Sequence, residues 1–125
     1  VMGVVAERAD AYARFFEVGW VTPTASADTF ADGMAVRQPD PAALDIIRRG
    51  AARVVRVTEA QIAQAIRAYF QDTHNVAEGA GAAPLAALLE EREIMSGKRV
   101  GLILSGGNID TERYAAILTG SQSDH

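Results

Sequence analysis

Three short apolar runs, Val1 to Ala6, Arg53 to Val57 and Arg99 to Leu104, are set far apart along the chain with helix-forming stretches between them. This alternation constrains the fold more than any other feature. It predicts an α/β layer in which a parallel sheet is flanked by helices through right-handed crossovers. The run RVGLIL is almost wholly apolar, the mark of a strand covered on both faces. Val1 to Ala6 reads as a buried strand that begins with no turn or cap before it, as expected for a sequence that starts inside a larger fold.

Helix punctuation fits the same plan. Asp10 to Val18 reads as a short helix with Tyr12, Phe15 and Phe16 on its apolar face, and Gly19 fits the position just past its end. Asp40-Pro41 is a cap followed by proline at the first helical position. The helix it opens runs to Arg49 with Leu44 and Ile47 inward, and Gly50 stops it. Thr58-Glu59-Ala60-Gln61 is a capping box for a helix that carries Ile62, Ile66, Tyr69 and Phe70 on one side. Gly79 to Pro84 is built of small residues, which lets a helix start pack close to a backbone or a ligand. That helix is expected to reach about Met95, with Gly97 ending it, and a last one covers Thr111 to Leu118. Trp20 to Gly33 reads as a loop, and its length makes function a fair suspicion. The tail from Ser121 to His125 is polar and expected to be frayed and flexible.

A chain of 125 residues can bury one core, and an apolar fraction of 49% fits a globular protein. No apolar run approaches the roughly 20 residues of a membrane span. The opening VMGVVAE carries an acid and no basic segment, so no secretory signal is read and a cytoplasmic location is expected. The absence of cysteine removes disulfides, thiolate catalysis and cysteine-zinc sites. A net charge of -4 with acids and bases interspersed argues against nucleic acid as a partner. Every basic side chain other than the histidines is arginine except Lys98.

In open α/β sheets ligands bind beyond the C-terminal ends of the strands. Three segments qualify: Glu7 onward, the turn after Val57, and Ser105-Gly106-Gly107-Asn108. In the third, Gly106 and Gly107 let the backbone approach a flat or charged ligand, and Ser105 offers a hydroxyl that donates or accepts. The same four residues equally suit a tight turn between strand and helix. Asp28 and Asp32 read as loop acids capping local N–H groups, His74 as structural, and Glu90 to Glu93 as a solvated helix face.

Four segments taken together are more specific: GVVAE (Gly3 to Glu7), TASADTFADGMAV (Thr24 to Val36), VAEGAGAAPLAALL (Val76 to Leu89) and VGLILSGGNID (Val100 to Asp110). In this order and spacing the chain resembles the fold-type-II pyridoxal-phosphate enzymes, and within them the threonine/serine dehydratases, the group that includes serine racemase. The resemblance runs to about Tyr114. It implies the C-terminal half of the large domain of such an enzyme, with residues 1–120 as a partial dehydratase domain. It places Ser105 at the serine that hydrogen-bonds the pyridine nitrogen of the cofactor, with Gly106 beside it. A neutral hydroxyl there makes a weaker electron sink than a carboxylate would, which suits expulsion of a β-hydroxyl. It places Gly33 at the glycine that packs flat on the cofactor ring, and Glu78 at a glutamate near the active site, where the family's following proline is replaced by Gly79. Glu7 and the Ala11 carbonyl match ligands of a cation site found in part of the family. The second acid of that site is Ala13 here and Asp10 is out of register, so a divalent metal is not expected, whereas a monovalent cation is left open.

The resemblance also implies what these residues do not contain: the Schiff-base lysine, the loop for the substrate carboxylate and the glycine-rich phosphate loop. Lys98 precedes the run that ends at Ser105, and a strand of that length spans about 20 Å, which puts it at the opposite edge of the sheet. No residue of this chain is assigned a catalytic role. The implied reaction turns L-threonine or L-serine into a 2-oxo acid and ammonia in an enzyme completed by an N-terminal half, with the homodimer common in the family. Two alternatives stand beside it: a non-catalytic remnant or interaction domain, and an amino-acid racemase of the same fold type. A parallel sheet cut from a larger one leaves an open edge and an uncovered apolar face, so low stability of the isolated chain is expected.

Overall fold

The computed structural model describes residues 1–19, 24 and 26–120. Part of the loop expected from Trp20 and the whole tail from Ser121 lie outside the described residues. The chain divides into two compact units, one covering Val1–Thr58 and the other starting at Glu59.

In the first unit, β1 (Met2–Ala6) and β2 (Arg53–Val57) pair in parallel, with Gly3 beside Val54 and Val5 beside Arg56. A 3-10 turn over Glu7–Ala9 leads from β1 into α1 (Ala11–Val18), and α2 (Pro41–Gly50) completes the crossover before β2. The caps at Gly19 and Asp40 are where the sequence put them, whereas Gly50 is the last residue of α2 and Ala51 caps it. Gly19 takes the left-handed conformation, φ 90°, and its N–H donates to the Phe15 carbonyl at 2.7 Å. The Asp40 carboxylate accepts from the Ala43 N–H at 3.3 Å, Pro41 fills the first turn, and Leu44 is buried. Arg48 and Arg49 sit in the last turn of α2, where cations suit the helix dipole.

The buried face of α1 differs from expectation. Ala11 and Ala13 are fully buried, while Tyr12, Phe15 and Phe16 are only partly covered. Small side chains let the helix backbone come close to β2, and the larger rings are left at the flanks. Tyr12 instead ties two elements together, because its hydroxyl accepts the Asp40 N–H at 3.2 Å.

An ion-pair network fixes the corner after β1. Asp10 is nearly buried, and its two oxygens accept from Arg14 Nε and Arg56 Nε, each at 2.9 Å. The remaining guanidinium nitrogens of Arg56 grip Glu17 in a two-point pair at 2.7 and 2.8 Å. One strand residue thereby holds both ends of α1.

The second unit is helical among its described residues: α3 (Glu59–Thr73), α4 (Gly79–Glu90) and α5 (Thr111–Thr119). Ile62, Ala63, Ala65 and Ile66 of α3 meet Ala82, Ala83, Ala86 and Ala87 of α4 in a core of mostly small side chains. Ile117 anchors α5 on α3, and Arg67 donates to the Ile117 carbonyl at 3.1 Å. Tyr69 is partly buried, and Phe70 is largely exposed yet stacks edge-on to Tyr114 at 6.2 Å. His74 takes φ 58° after α3, and its backbone N–H donates to the Phe70 carbonyl at 3.0 Å.

Two expectations are corrected. α4 ends at Glu90 rather than near Met95, and turns follow it. Glu90, Glu91 and Glu93 crowd the negative end of the helix dipole, which opposes further helix. Gly97 still makes the closing turn, with φ 79° and the Lys98 N–H on the Met95 carbonyl. The second correction is the expected strand at Arg99 to Leu104, which is not one; the segment joins no ladder among the described residues, and Ile103 is 78% exposed. An apolar sequence supplies a strand's side chains but not its partner, and the described part of this unit offers no neighbouring strand to bond.

Burial by itself raises the Asp10 carboxyl, but the hydrogen bonds from Arg56 and Arg14 and their charges outweigh it and hold it below its ordinary 3.8. Arg56 likewise holds Glu17 below its ordinary 4.5. A depressed folded-state value means stability that is present above the unfolded value and lost as pH falls through the folded one. Asp10→Ala is therefore expected to lower unfolding free energy by about 2 kcal/mol at neutral pH in urea titrations, the scale of lost charged hydrogen bonds. The gap from wild type should shrink as the pH falls below 3.8. A gap that stays constant down to strong acid would contradict the assignment.

Candidate functional site

In the second unit two backbone segments meet at the loop that carries Ser105. Glu78 caps α4: its carboxylate accepts the Ala80 N–H at 2.9 Å and the Gly81 N–H as well. Its own N–H donates to the Gly106 carbonyl at 3.0 Å. The start of α4 thus bonds directly to the loop that carries Ser105. The approach is close enough to need glycine on both sides. A Cβ on Gly81 would lie 2.6 Å from the Gly106 oxygen, and one on Gly107 would lie 2.5 Å from the Val76 oxygen. A Cβ on Gly106 would meet only the Glu78 side chain at ordinary contact distance.

Ser105 is exposed, and among the described residues its hydroxyl makes no hydrogen bond. A neutral donor and acceptor held at a fixed loop fits a ring nitrogen. Glu78 has both carboxylate oxygens on the α4 backbone.

In the first unit, Gly33 lies in an exposed 3-10 turn over Asp32–Met34. It lines an apolar cavity of about 530 Å³ together with Val5, Tyr12, Met34, Ile47 and Val54. Asp28 is paired with Arg8 at 2.6 Å, so it serves the local loop.

Glu7 is exposed at the start of its 3-10 turn, and Ala11 is buried at the start of α1. One exposed carboxylate and one helix carbonyl do not suit a divalent ion, which takes roughly six oxygens. Among the described residues no three acidic, histidine or cysteine side chains gather to hold a metal. At this corner Asp10 and Glu17 are paired with the guanidinium of Arg56, and Asp10 also with that of Arg14.

The sequence reading missed the Asp10–Arg56 pair, and it did not single out Gly81 within the small-residue run Gly79 to Pro84. An acid directly before a run of small residues was an available signal for the Glu78 cap. The Asp10–Arg14 spacing of four was also legible. Arg56 in an apolar strand was a buried-charge signal, but its partner lies 46 residues away.

A parallel strand pair with a helical crossover marks the first unit as α/β, and in the second a glycine-rich loop lies against a helix start. The chain belongs to the family of pyridoxal-phosphate dependent enzymes, whose model matches residues 1–106. It is 47% identical over 91 residues to the L-threonine ammonia-lyase of Geobacter sulfurreducens, covering 72% of this chain and 22% of that protein. It is 32% identical over 118 residues to the L-threo-3-hydroxyaspartate ammonia-lyase of a Pseudomonas species, covering 94% of this chain and 37% of that protein. The processed form of threonine deaminase isoform 2 from Solanum lycopersicum superposes with a TM-score of 0.85 at 25% identity, over 95% of this chain and 34% of that one. The chain spans between 22% and 37% of the length of these relatives. The fold is accordingly that of fold-type-II enzymes, and pyridoxal phosphate is the family's cofactor. No described helix is long and apolar enough to cross a membrane.

Replacing Gly107 by alanine puts a Cβ against the Val76 carbonyl, a backbone atom that cannot step aside. Gly107→Ala is expected to cost about 2 kcal/mol, the scale of overpacking. Gly106→Ala should be tolerated within about 1 kcal/mol, the range of mild core changes. Equal losses in thermal or urea unfolding would contradict the loop geometry.

Proposed function

We propose that the protein is a pyridoxal-phosphate-dependent ammonia-lyase acting on L-threonine or L-serine, and that these 125 residues supply only part of its active site. Support comes from the relatives: one acts on L-threonine and another on L-threo-3-hydroxyaspartate, by their names. Both substrates are α-amino acids with a β-hydroxyl. The single observation that carries the reading is Ser105, an exposed hydroxyl unengaged among the described residues, in a loop pinned at Gly106.

When bound, pyridoxal phosphate supplies the electron sink that loosens the bonds at the substrate's α-carbon. The chain's own residues have quieter tasks. Ser105 offers the ring nitrogen one hydrogen bond and no charge. Gly33 leaves a flat face free of any side chain, Gly106 keeps the loop next to Ser105 slim, and Glu78 holds that loop to α4. In the net reaction L-threonine gives 2-oxobutyrate and ammonia, with water lost in one step and taken up in another.

The covalent amine and the proton acceptor are assigned to residues outside this chain. Lys98 is exposed and precedes Ser105 by seven residues along the chain. The partial dehydratase domain over residues 1–120, the cytoplasmic location and the homodimer are parts of the same proposal. At Glu7 and the Ala11 carbonyl we propose at most a monovalent cation.

The test combines reduction and complementation. The purified chain with pyridoxal phosphate and borohydride should carry no label on Lys98 and release no 2-oxobutyrate from L-threonine. Joined behind the preceding part of the Geobacter sulfurreducens enzyme, it should form 2-oxobutyrate. A labelled Lys98 with product from the chain alone would sink the division of labour. A folded, cofactor-loaded fusion that acts on neither threonine nor serine would leave a non-catalytic remnant.

A further inference from the structure

We infer that Glu78 and Gly81 are positioning residues for the Ser105 hydroxyl, an inference that rests on reading Ser105 as the cofactor contact. The Ser105 side chain makes no hydrogen bond of its own among the described residues, so its place is set by the backbone that follows it. That backbone is held from two sides. The Glu78 N–H bonds the Gly106 carbonyl at 3.0 Å. Gly81 lies flush against the same peptide group: a Cβ there would fall 2.6 Å from the Gly106 oxygen and 3.1 Å from the Gly106 nitrogen. On the far side, Gly107 abuts the Val76 carbonyl with no room for a Cβ.

The Glu78 carboxylate fixes Gly81 in turn by accepting its N–H and that of Ala80. Charge, cap and close approach therefore act in series: the carboxylate sets the first turn of α4, the first turn sets Gly106, and Gly106 sets Ser105. A hydroxyl bond to nitrogen weakens once its length passes about 3.2 Å, so a small displacement of Gly106 is enough to lose it. Aspartate also caps helices well, so the chain of contacts predicts rescue by Glu78→Asp and not by Glu78→Ala.

The experiment is a titration of the isotope-labelled chain, joined behind the preceding part of the Geobacter sulfurreducens enzyme, with pyridoxal phosphate as the probe, followed through the amide signals of Ser105 and Gly106. Wild type should show both signals moving. Glu78→Ala and Gly81→Ala should each weaken the probe about fivefold, the order of one lost hydrogen bond. Glu78→Asp should restore it. In a Ser105→Ala background Glu78→Ala should add nothing, because its effect passes through the hydroxyl. Signals from residues of the first unit serve to show that each variant is folded. Wild-type affinity in Glu78→Ala and Gly81→Ala, or an undiminished effect of Glu78→Ala without the hydroxyl, would overturn the inference and leave the cofactor reading standing. No movement at Ser105 in wild type would overturn the cofactor reading itself, and the inference with it.

Discussion

Parallel pairing of Met2–Ala6 with Arg53–Val57 is the constraint from which the first unit follows. Two parallel strands cannot be joined by a tight turn, so the chain between them must travel back along the sheet, and it does so as α1 and α2. Because the strands run the same way, Arg56 near the end of β2 lies beside Val5 near the end of β1. That register brings its guanidinium to Asp10, the residue that joins the turn after β1 to α1. The pairing with Glu17 then fixes the other end of the same helix. The charge at the corner is thus a consequence of strand direction, and it is internal to the protein.

A different constraint governs the second unit. Here two backbones meet with almost nothing between them, and the sequence GAGAA provides the missing volume. Pro84 inside α4 lacks an N–H, and it stands in a helix already bound firmly at its start by Glu78. Small residues serve two purposes along this one helix. On the α3 side alanines allow dense packing, and at the N-terminal end glycine allows contact with Gly106.

The site was legible to different depths. Ser105 and Gly106 were legible as a hydroxyl and a glycine after an apolar run, whereas Gly33 came only from the resemblance. Glu78 was visible as a position but not as a cap, since its N–H reaches a residue 28 places later in the chain and its carboxylate only its own helix. Gly81 was not singled out within its small-residue run and Gly107 was read only as leaving room for a ligand, because the need for glycine at both arises from the backbone opposite. The cation corner was read from Glu7, Ala11 and Ala13, whereas Arg56 became part of it only through the sheet register.

By itself the sequence determined the stop of α1 and the start of α2, since Gly19 and Asp40 act on backbone groups within four residues of themselves. It also determined the family, because four separated motifs retain their order and spacing. Tertiary structure decided which apolar runs became strands. Arg53 to Val57 is a strand and Arg99 to Leu104 is not, although the second is the more apolar of the two. The physical reason is that a helix satisfies its hydrogen bonds from its own sequence, whereas a strand is completed only by another strand beside it.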